Sequence, residues 1–223
     1  ITKEGNLVKL KLVDGELISK AVLIATGSDY KKIGVPGEQE FYARGVHYCA
    51  TCDGAFYRGK KLVVVGGGNS AVQEAIFLTK FATHIDLLVR SKLRASDVLI
   101  KELDKHKDKI TLHTGTTTDE IVGREGKVVK VVGTDTITNK KVEYECDGVF
   151  VFVGLDPNTH FLNDSGIELD NIRLIKSNDK LMTNIPGIFV AGDVRSGATM
   201  QIASASGEGA TAALMIREYL NEK

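Results

Sequence analysis

At 223 residues the chain is about one and a half domains long, taking roughly 150 residues per domain. Its 29 basic and 29 acidic side chains cancel, so it lacks the basic excess with which a nucleic-acid binder displaces counterions. Hydrophobic residues at 43% and charged residues at 26% are ordinary for a soluble globular protein, and no apolar run approaches the roughly 18 residues that span a bilayer. The start shows no charged, then apolar, then small-residue leader, which argues against secretion and for a cytoplasmic setting without a membrane partner. Three cysteines are too few for a disulfide scaffold.

Residues 1–27 read as β structure. Leu7, Val8, Leu10, Leu12 and Val13 partly alternate with Lys9 and Lys11, and Asp14-Gly15 offers a hairpin turn before Leu17-Ile18. A short apolar strand, Ala21 to Ala25, ends at Thr26-Gly27. Pro36-Gly37 signals a turn or linker, and the composition shift there places a domain boundary near residue 39. Lys60-Lys61 then lead into Leu62-Val63-Val64-Val65, a run suited to a parallel strand buried on both faces. Gly66-Gly67-Gly68-Asn69-Ser70-Ala71 follows, then a helix with Ala71, Ala75, Leu78 and Ala82 at near-helical spacing. A second strand over Ile85 to Val89 completes a βαβ unit.

Residues 96–108 read as an amphipathic helix through Leu99 and Leu103. Residues 127–133 and 140–145 read as a lysine-edged hairpin, and Val149 to Gly154 as another buried strand. After Pro157 the character changes. Ile185 to Val190 reads as a strand running into Ala191-Gly192-Asp193, and the tail from Gly207 to Leu220 as a helix with Ala210, Ala213, Leu214, Arg217 and Leu220 in register. The pattern is α/β: a complete nucleotide-binding domain, 39–157, set between two pieces of another, 1–38 and 158–223.

The run Gly66-x-Gly68-x-x-Ala71 sits after a strand and opens a helix, where a dinucleotide loop belongs. Gly66 permits the tight turn, Gly68 lets backbone approach a pyrophosphate, and Ala71 allows close helix–strand packing. The helix start, with Asn69 and Ser70, supplies free N–H groups for phosphates. The plainer alternative is a glycine-rich turn of some other α/β protein. At the end of the second strand a carboxylate would bind the ribose 2′-hydroxyl of NAD. The chain has Val89-Arg90-Ser91-Lys92-Leu93-Arg94 instead, and Arg90, Lys92 and Arg94 suit a 2′-phosphate, so the expected cofactor is NADP(H) rather than NAD(H). A solvated basic loop is the alternative.

Cys49-Ala50-Thr51-Cys52 can close a small disulfide ring, and Asp53 beside the second sulfur can protonate a leaving thiolate. The rival reading is half a zinc site, which needs two more ligands. Only Cys146 and five scattered histidines remain, without ligand spacing, so no metal is expected. Cys146 reads as a buried small hydrophobe.

The string Cys49-Ala50-Thr51-Cys52-Asp53-Gly54, a short stretch before Gly66-Gly67-Gly68-Asn69-Ser70-Ala71, resembles the low-molecular-weight thioredoxin reductases, and the likeness extends to Ala25-Thr26-Gly27 and Ala191-Gly192-Asp193. The resemblance implies two Rossmann-like nucleotide-binding domains of the pyridine nucleotide-disulfide oxidoreductase type. A split, here incomplete, FAD domain would hold an inserted NADPH domain carrying the CxxC pair. It further implies electron flow from NADPH to FAD to the Cys49–Cys52 disulfide to thioredoxin, rotation of the NADPH domain between two poses, and a homodimer. Asp53 would be the acid. Ala25, Thr26 and Gly27 would lie beside FAD, Gly192 and Asp193 near its ribityl and phosphate side, and the helix after Met200-Gln201-Ile202 would aim at its pyrimidine edge.

The chain departs from that family in three places. The opening FAD-binding βαβ with its own GxGxxG is missing, as though the parent were about 85–95 residues longer. The family's His-Arg-Arg-x-x-x-Arg pattern has become Val89-Arg90-Ser91-Lys92-Leu93-Arg94, which leaves NADH use open. An Arg-Gln-Ala at the flavin edge has become Met200-Gln201-Ile202. Two other functions fit the pattern less economically. One is a hydroperoxide-reductase flavoprotein, which shares the architecture but has a different cysteine motif. The other is a non-catalytic nicotinamide-binding module.

Overall fold

The structure, a computed structural model, describes residues 1–222. It contains two compact units, one built from Ile1–Asp29 and the segment from Leu155 onward, the other from Tyr30–Gly154.

The first unit opens with an antiparallel meander of β1 (Thr2–Glu4), β2 (Leu7–Leu12) and β3 (Gly15–Ser19). Leu12 pairs with Gly15, so the hairpin loop is Val13-Asp14, and Gly15, at φ +149°, opens β3 rather than closing the turn. Val8 is fully buried, whereas Leu7, Leu12, Leu17 and Ile18 are exposed. β4 (Val22–Ile24) follows, then β5 (Ser28–Tyr30) at the crossing into the second unit.

The second unit is laid down in chain order as β6 (Val46–His47), α1 (Ala50–Asp53), a 3-10 turn over Gly54–Tyr57, β7 (Lys61–Val65), α2 (Asn69–Leu78) and β8 (His84–Val89). It continues with α3 (Asp97–Asp104), β9 (Ile110–Thr114), β10 (Thr116–Arg124), β11 (Lys127–Asp135), β12 (Lys140–Glu145) and β13 (Gly148–Val151). Five strands form one parallel sheet in the order β6-β13-β7-β8-β9. Alternate residues serve its two faces. Leu62, Val64, Ile85, Leu87 and Phe150 pack toward α2 and α3. Val63, Val65, Leu88, Val149 and Val151 pack toward Phe41, Ile121, Val128 and Val131, the last three from the antiparallel sheet β10-β11-β12. The unbroken β-branched run in β7 therefore reflects two buried faces, as its sequence predicts.

Leu62, Val63 and Val64 are fully buried, worth about 1.5–3 kcal/mol each. The half-exposed Lys60–Asp147 ion pair at the start of β7, 3.3 Å long, is worth at most about 1 kcal/mol. Burial, not surface charge, holds β7 in the centre of the sheet.

The lysine-edged hairpin is present as β11 and β12, with Lys130 opposite Glu145. A third partner, β10, was not anticipated: its run Thr116-Thr117-Thr118-Asp119 lacks the apolar alternation that marks a half-buried strand. The helix expected over 96–108 ends earlier, at Asp104. Cys146 is buried next to β12, and burial pushes its thiol up to about 12, in keeping with an inert core thiol.

Residues 30–38 fold with the second unit, so that unit starts upstream of the composition shift at residue 39. The cause is Glu38, 3% exposed, whose carboxylate accepts the N–H groups of Ile33 and Gly34 at 2.9 and 2.7 Å and the hydroxyl of Tyr48 at 2.7 Å. The carbonyl of Pro36 also accepts the N–H of Ile121 at 2.9 Å.

The first unit resumes with β14 (Leu155–Pro157), which pairs with β5, a 3-10 turn over His160–Leu162, β15 (Ile188–Val190) and α4 (Ile202–Asn221). β15 runs parallel to β4, Ile188 opposite Val22 and Val190 opposite Ile24. α4 starts five residues before the predicted Gly207. It faces the core through Ala212, while Leu214 and Leu220 of the predicted stripe are exposed. Glu208, four residues ahead of Ala212, sets the inward face through polar contacts that an apolar pattern does not reveal. Among the described residues no helix is long and apolar enough to cross a membrane.

Gly37 gives a direct test of how residues 30–38 are docked. Its φ is +85°, and an added Cβ would overlap the carbonyl oxygen of Ile121 and lie 2.9 Å from that carbonyl carbon. Gly37→Ala is expected to cost at least about 2 kcal/mol through left-handed strain and backbone overlap, read as a lower denaturant midpoint. An unchanged midpoint would show that this segment is not held against β10.

Candidate functional site

The redox turn is short and local. Cys49 is the N-cap of α1 in an extended conformation, and its Sγ accepts the backbone N–H of Cys52 at 3.1 Å. The Cys49–Cys52 disulfide is formed, with the two Cα atoms 5.3 Å apart. Asp53, the last residue of α1, directs Oδ2 to Nδ1 of His47 at 3.1 Å. All three sequence-predicted residues of this set, Cys49, Cys52 and Asp53, thus lie on a single turn. His47 and its other partner, Tyr57, were missed; the one cue in the sequence was a histidine two residues ahead of the first cysteine.

The second set is the glycine-rich loop. Gly66 has φ +145°, and a Cβ there would overlap the carbonyl oxygen of Phe152 and stand 2.8 Å from the Cβ of Ala71. Gly66 and Ala71 are therefore small because β7, α2 and the chain after β13 meet at that point. Gly68 caps α2 in an extended conformation without a side chain, and a Cβ there would meet nothing within 4 Å. Asn69, Ser70 and Ala71 form the first turn of α2, where backbone N–H groups have no intrahelical acceptor and carry the positive end of the helix dipole. An anionic group can approach them over Gly68 without hindrance.

The segment after β8 folds back over this loop. Arg94 N–H donates to the carbonyl of Gly67 at 2.7 Å, and Ser96 N–H donates to Oδ1 of Asn69 at 2.8 Å. The result is a cavity of about 650 Å³ whose walls include Gly66, Gly68, Asn69, Ser70, Arg90, Lys92 and Arg94. Arg90, Lys92 and Arg94 are exposed on its wall, and none of them forms an ion pair among the described residues. A phosphate-bearing ligand fits this donor set: open helix N–H groups, a glycine without a neighbour over it, and three uncommitted cations. Ala71 is fully buried and does not line the cavity.

Sequence reasoning missed other residues of the same cavity, Lys31, Lys32 and Thr116 to Asp119. Asp119 accepts from Lys141 Nζ at 2.8 Å, from Thr134 Oγ1 at 2.6 Å and from Thr117 Oγ1 at 2.7 Å. These bonds, the lysine's first, bring its carboxyl from 3.8 down to about 2. The long-range pairing of β10 and β11 creates that arrangement, so no local pattern could announce it.

The third set belongs to the first unit. Thr26 Oγ1 donates to the carbonyl of Asn158 at 2.8 Å, and Asn158 returns bonds to the Thr26 and Gly27 carbonyls at 3.0 Å each. Gly27 takes φ +70° and Gly192 φ +76°. Ala191 N–H donates to Ile24 at 3.0 Å, and Ser28 Oγ donates to the carbonyl of Asp193 at 2.6 Å. Ala25-Thr26-Gly27 and Gly192-Asp193 are therefore adjacent turns at the carboxyl ends of the parallel strands β4 and β15, where α/β sheets bind ligands.

Glu208 of α4 fixes the second of these turns. Its Oε2 accepts Gly192 N–H at 2.8 Å and Arg195 Nε at 3.0 Å, while Oε1 accepts Arg195 Nη2 at 2.5 Å. The guanidinium, then the Gly192 N–H, holds the Glu208 carboxyl below its usual range. Neither Arg195 nor Glu208 was singled out from sequence. Met200 takes φ +56°, Gln201 is the N-cap of α4, and Ile202, its first residue, is 88% exposed.

The profile of the pyridine nucleotide-disulphide oxidoreductase family matches residues 1–209. The chain is 44% identical over 209 residues to a thioredoxin reductase of Bacillus subtilis (strain 168), which covers 93% of this chain and 65% of that protein. It is 40% identical over 233 residues to a 34.2 kDa protein in a rubredoxin operon of Clostridium pasteurianum, covering 100% of this chain and 75% of that one. The crystal structure of thioredoxin reductase from Streptococcus pyogenes MGAS5005 superposes with a TM-score of 0.93 at 39% identity, covering 99% of this chain and 72% of that chain. The resemblance read from the CATCDG string is borne out. The chain spans slightly less than two thirds of the Bacillus relative.

Two outcomes follow from this geometry. Gly66→Ala is expected to destabilise the second unit by about 1–3 kcal/mol through overpacking against Phe152 and Ala71, seen as a lower denaturant midpoint. Asp119 has a depressed folded-state value, so its bonds stabilise the unit fully above its ordinary 3.8 and cease to do so as pH falls toward about 2. Asp119→Asn is expected to flatten the pH dependence of stability in that window. An equally steep decline in the variant would assign the acid loss to other carboxylates.

Proposed function

The chain belongs to the pyridine nucleotide-disulphide oxidoreductase family, and from that premise we propose that it is the disulfide-reducing part of a flavin-dependent thioredoxin reductase. The observation that carries this reading is the Cys49–Cys52 disulfide on α1, with Asp53 on the same turn, in the unit that also holds the dinucleotide loop. The names of the relatives support thioredoxin, or a similar small redoxin, as the protein substrate.

In this reading Asn69, Ser70 and Ala71 hold the pyrophosphate of NADP(H) by their backbone N–H groups, Gly68 leaves room for it, and Arg90, Lys92 and Arg94 bind the 2′-phosphate. Ala25 to Gly27, Gly192-Asp193 and the start of α4 at Met200, Gln201 and Ile202 hold FAD. The bound nicotinamide and flavin supply the electron pair. Reduction of the Cys49–Cys52 bond also consumes two protons, and Asp53 holds one of them for the departing sulfur. The dithiol then passes both electrons to the redoxin disulfide by exchange.

The test is turnover by FAD-loaded protein with NADPH and thioredoxin, monitored with the flavin absorbance. Cys52→Ser should abolish thioredoxin reduction while NADPH still bleaches the flavin. Loss of both together would overturn this division of labour. Arg90→Ala should raise the KM for NADPH by roughly 5–10-fold, the loss of a charge-assisted bond, and leave the KM for NADH nearly unchanged. An equal rise for both would remove Arg90 as a 2′-phosphate ligand.

A further inference from the structure

β6 is only two residues long, and it sits at the edge of the parallel sheet with His47 opposite Phe150 of β13. The imidazole is 8% exposed. A buried histidine needs partners for both ring nitrogens. A histidine that merely fills a core commonly takes backbone carbonyls or water. Here the partners are side chains of the redox turn and of the 3-10 turn that follows it: Asp53 Oδ2 lies 3.1 Å from Nδ1, and the Tyr57 hydroxyl lies 2.7 Å from Nε2.

The ring is also clamped. It stacks on Phe150 at 5.2 Å and 29°, and Tyr57 meets it edge-on at 5.3 Å. Tyr57 in turn stands edge-on to Phe150 at 5.6 Å. Gly148 leaves the space in which Tyr57 sits, since a Cβ there would stand 2.7 Å from the ring carbon that bears the hydroxyl. Burial first, and then the charge of Asp53, pushes the Tyr57 phenol up to about 12. Tyr57 is therefore a neutral donor at ordinary pH. With its hydroxyl donating to Nε2, the imidazole proton is placed on Nδ1, aimed at Asp53.

We propose that His47 is the positioning residue of the redox turn: its Nδ1–H, fixed by the Tyr57 hydroxyl on Nε2, orients the carboxyl of Asp53, the residue next to Cys52. This rests on Asp53 being the acid of the exchange, as put forward above. When an external dithiol attacks, its thiolate bonds to one cysteine sulfur as the Cys49–Cys52 bond breaks. The electron pair of that bond stays on the other sulfur, which accepts a proton from Asp53. Asp53 is reprotonated from water, while His47 keeps its Nδ1 proton and holds the carboxyl in place. The second thiol of the reagent then closes the reagent's own disulfide and frees the first cysteine, so the protein gains two electrons and two protons and the reagent loses them. The titratable groups facing His47 are Asp53 and Tyr57 themselves, with Cys146 and Asp147 next to Tyr57.

The experiment is the rate at which dithiothreitol reduces Cys49–Cys52 in this chain, followed by quenching with a thiol alkylator across a range of pH. No flavin, nicotinamide or redoxin takes part, so a failed reductase reading leaves this result unaffected. His47→Leu should slow reduction about tenfold, a modest share of what a general acid contributes, and should change the pH profile. His47→Asn, whose amide reaches the position of Nδ1, should restore most of the rate without restoring the profile. In an Asp53→Asn background, His47→Leu should add little, because it acts through that carboxyl. Wild-type rates and profile in His47→Leu, or full additivity with Asp53→Asn, would overturn the proposal. Should His47→Leu fail to fold, Tyr57→Phe and His47→Asn take its place, and an unchanged pH profile in both is the overturning result.

Discussion

A parallel strand cannot return to its neighbour through a tight hairpin, so its connections cross over a face of the sheet and their ends gather at the strands' carboxyl edge. Both units obey this constraint. In the second unit it places the Gly66 to Ser70 loop after β7 and the Arg90 to Arg94 segment after β8 next to one another, because β7 and β8 are neighbours. In the first it places Ala25 to Gly27 after β4 beside Gly192-Asp193 after β15. Residues far apart in the chain become adjacent because the sheet is parallel, and the chemistry follows from that adjacency.

The close approach at Gly66 shows how the same constraint reaches single atoms. The carbonyl of Phe152, after β13, and the methyl of Ala71, on α2, occupy the space where a Cβ at Gly66 would stand. The glycine is required by two contacts from different parts of the chain, and the helix start beyond it is thereby held with open N–H groups over the cavity.

Three polar side chains, Glu38 and His47 buried and Glu208 half-buried, are the second organising feature, and each of the three is held by named partners. Glu38 collects two backbone N–H groups and a tyrosine hydroxyl, which ties residues 30–38 to the second unit. Glu208 joins a backbone N–H to a guanidinium, which fixes the Gly192 turn. His47 joins Asp53 to Tyr57. An unpaired polar group in these places would cost about 1–3 kcal/mol, a large part of a domain's stability. The same bonds that avoid that cost also settle where the Glu38, Glu208 and Asp53 carboxylates point.

Much of the fold and of the site was legible in the residues because the signals are local. Leu62 to Val65 must be a two-sided buried strand, Gly66-x-Gly68-x-x-Ala71 must turn it into a helix, and Cys49-x-x-Cys52 is close enough to close a ring on one turn. The apolar stripe expected on the tail helix was misleading, since α4 turns Ala212 and Glu208 inward and leaves Leu214 exposed. β10 stayed hidden because a threonine-rich strand is stabilised by its pairing with β11, not by its own pattern. By itself the sequence determined which segments are strand, loop and helix around the glycines and cysteines, since backbone freedom and side-chain period act over a few residues. Only the tertiary structure decided that His47 and Tyr57 join Asp53, that Asp119 lines the same cavity as Gly66 to Ser70 and that Glu208 holds the Gly192 turn. Hydrogen-bond partners are chosen by distance in space, which short-range pattern does not encode.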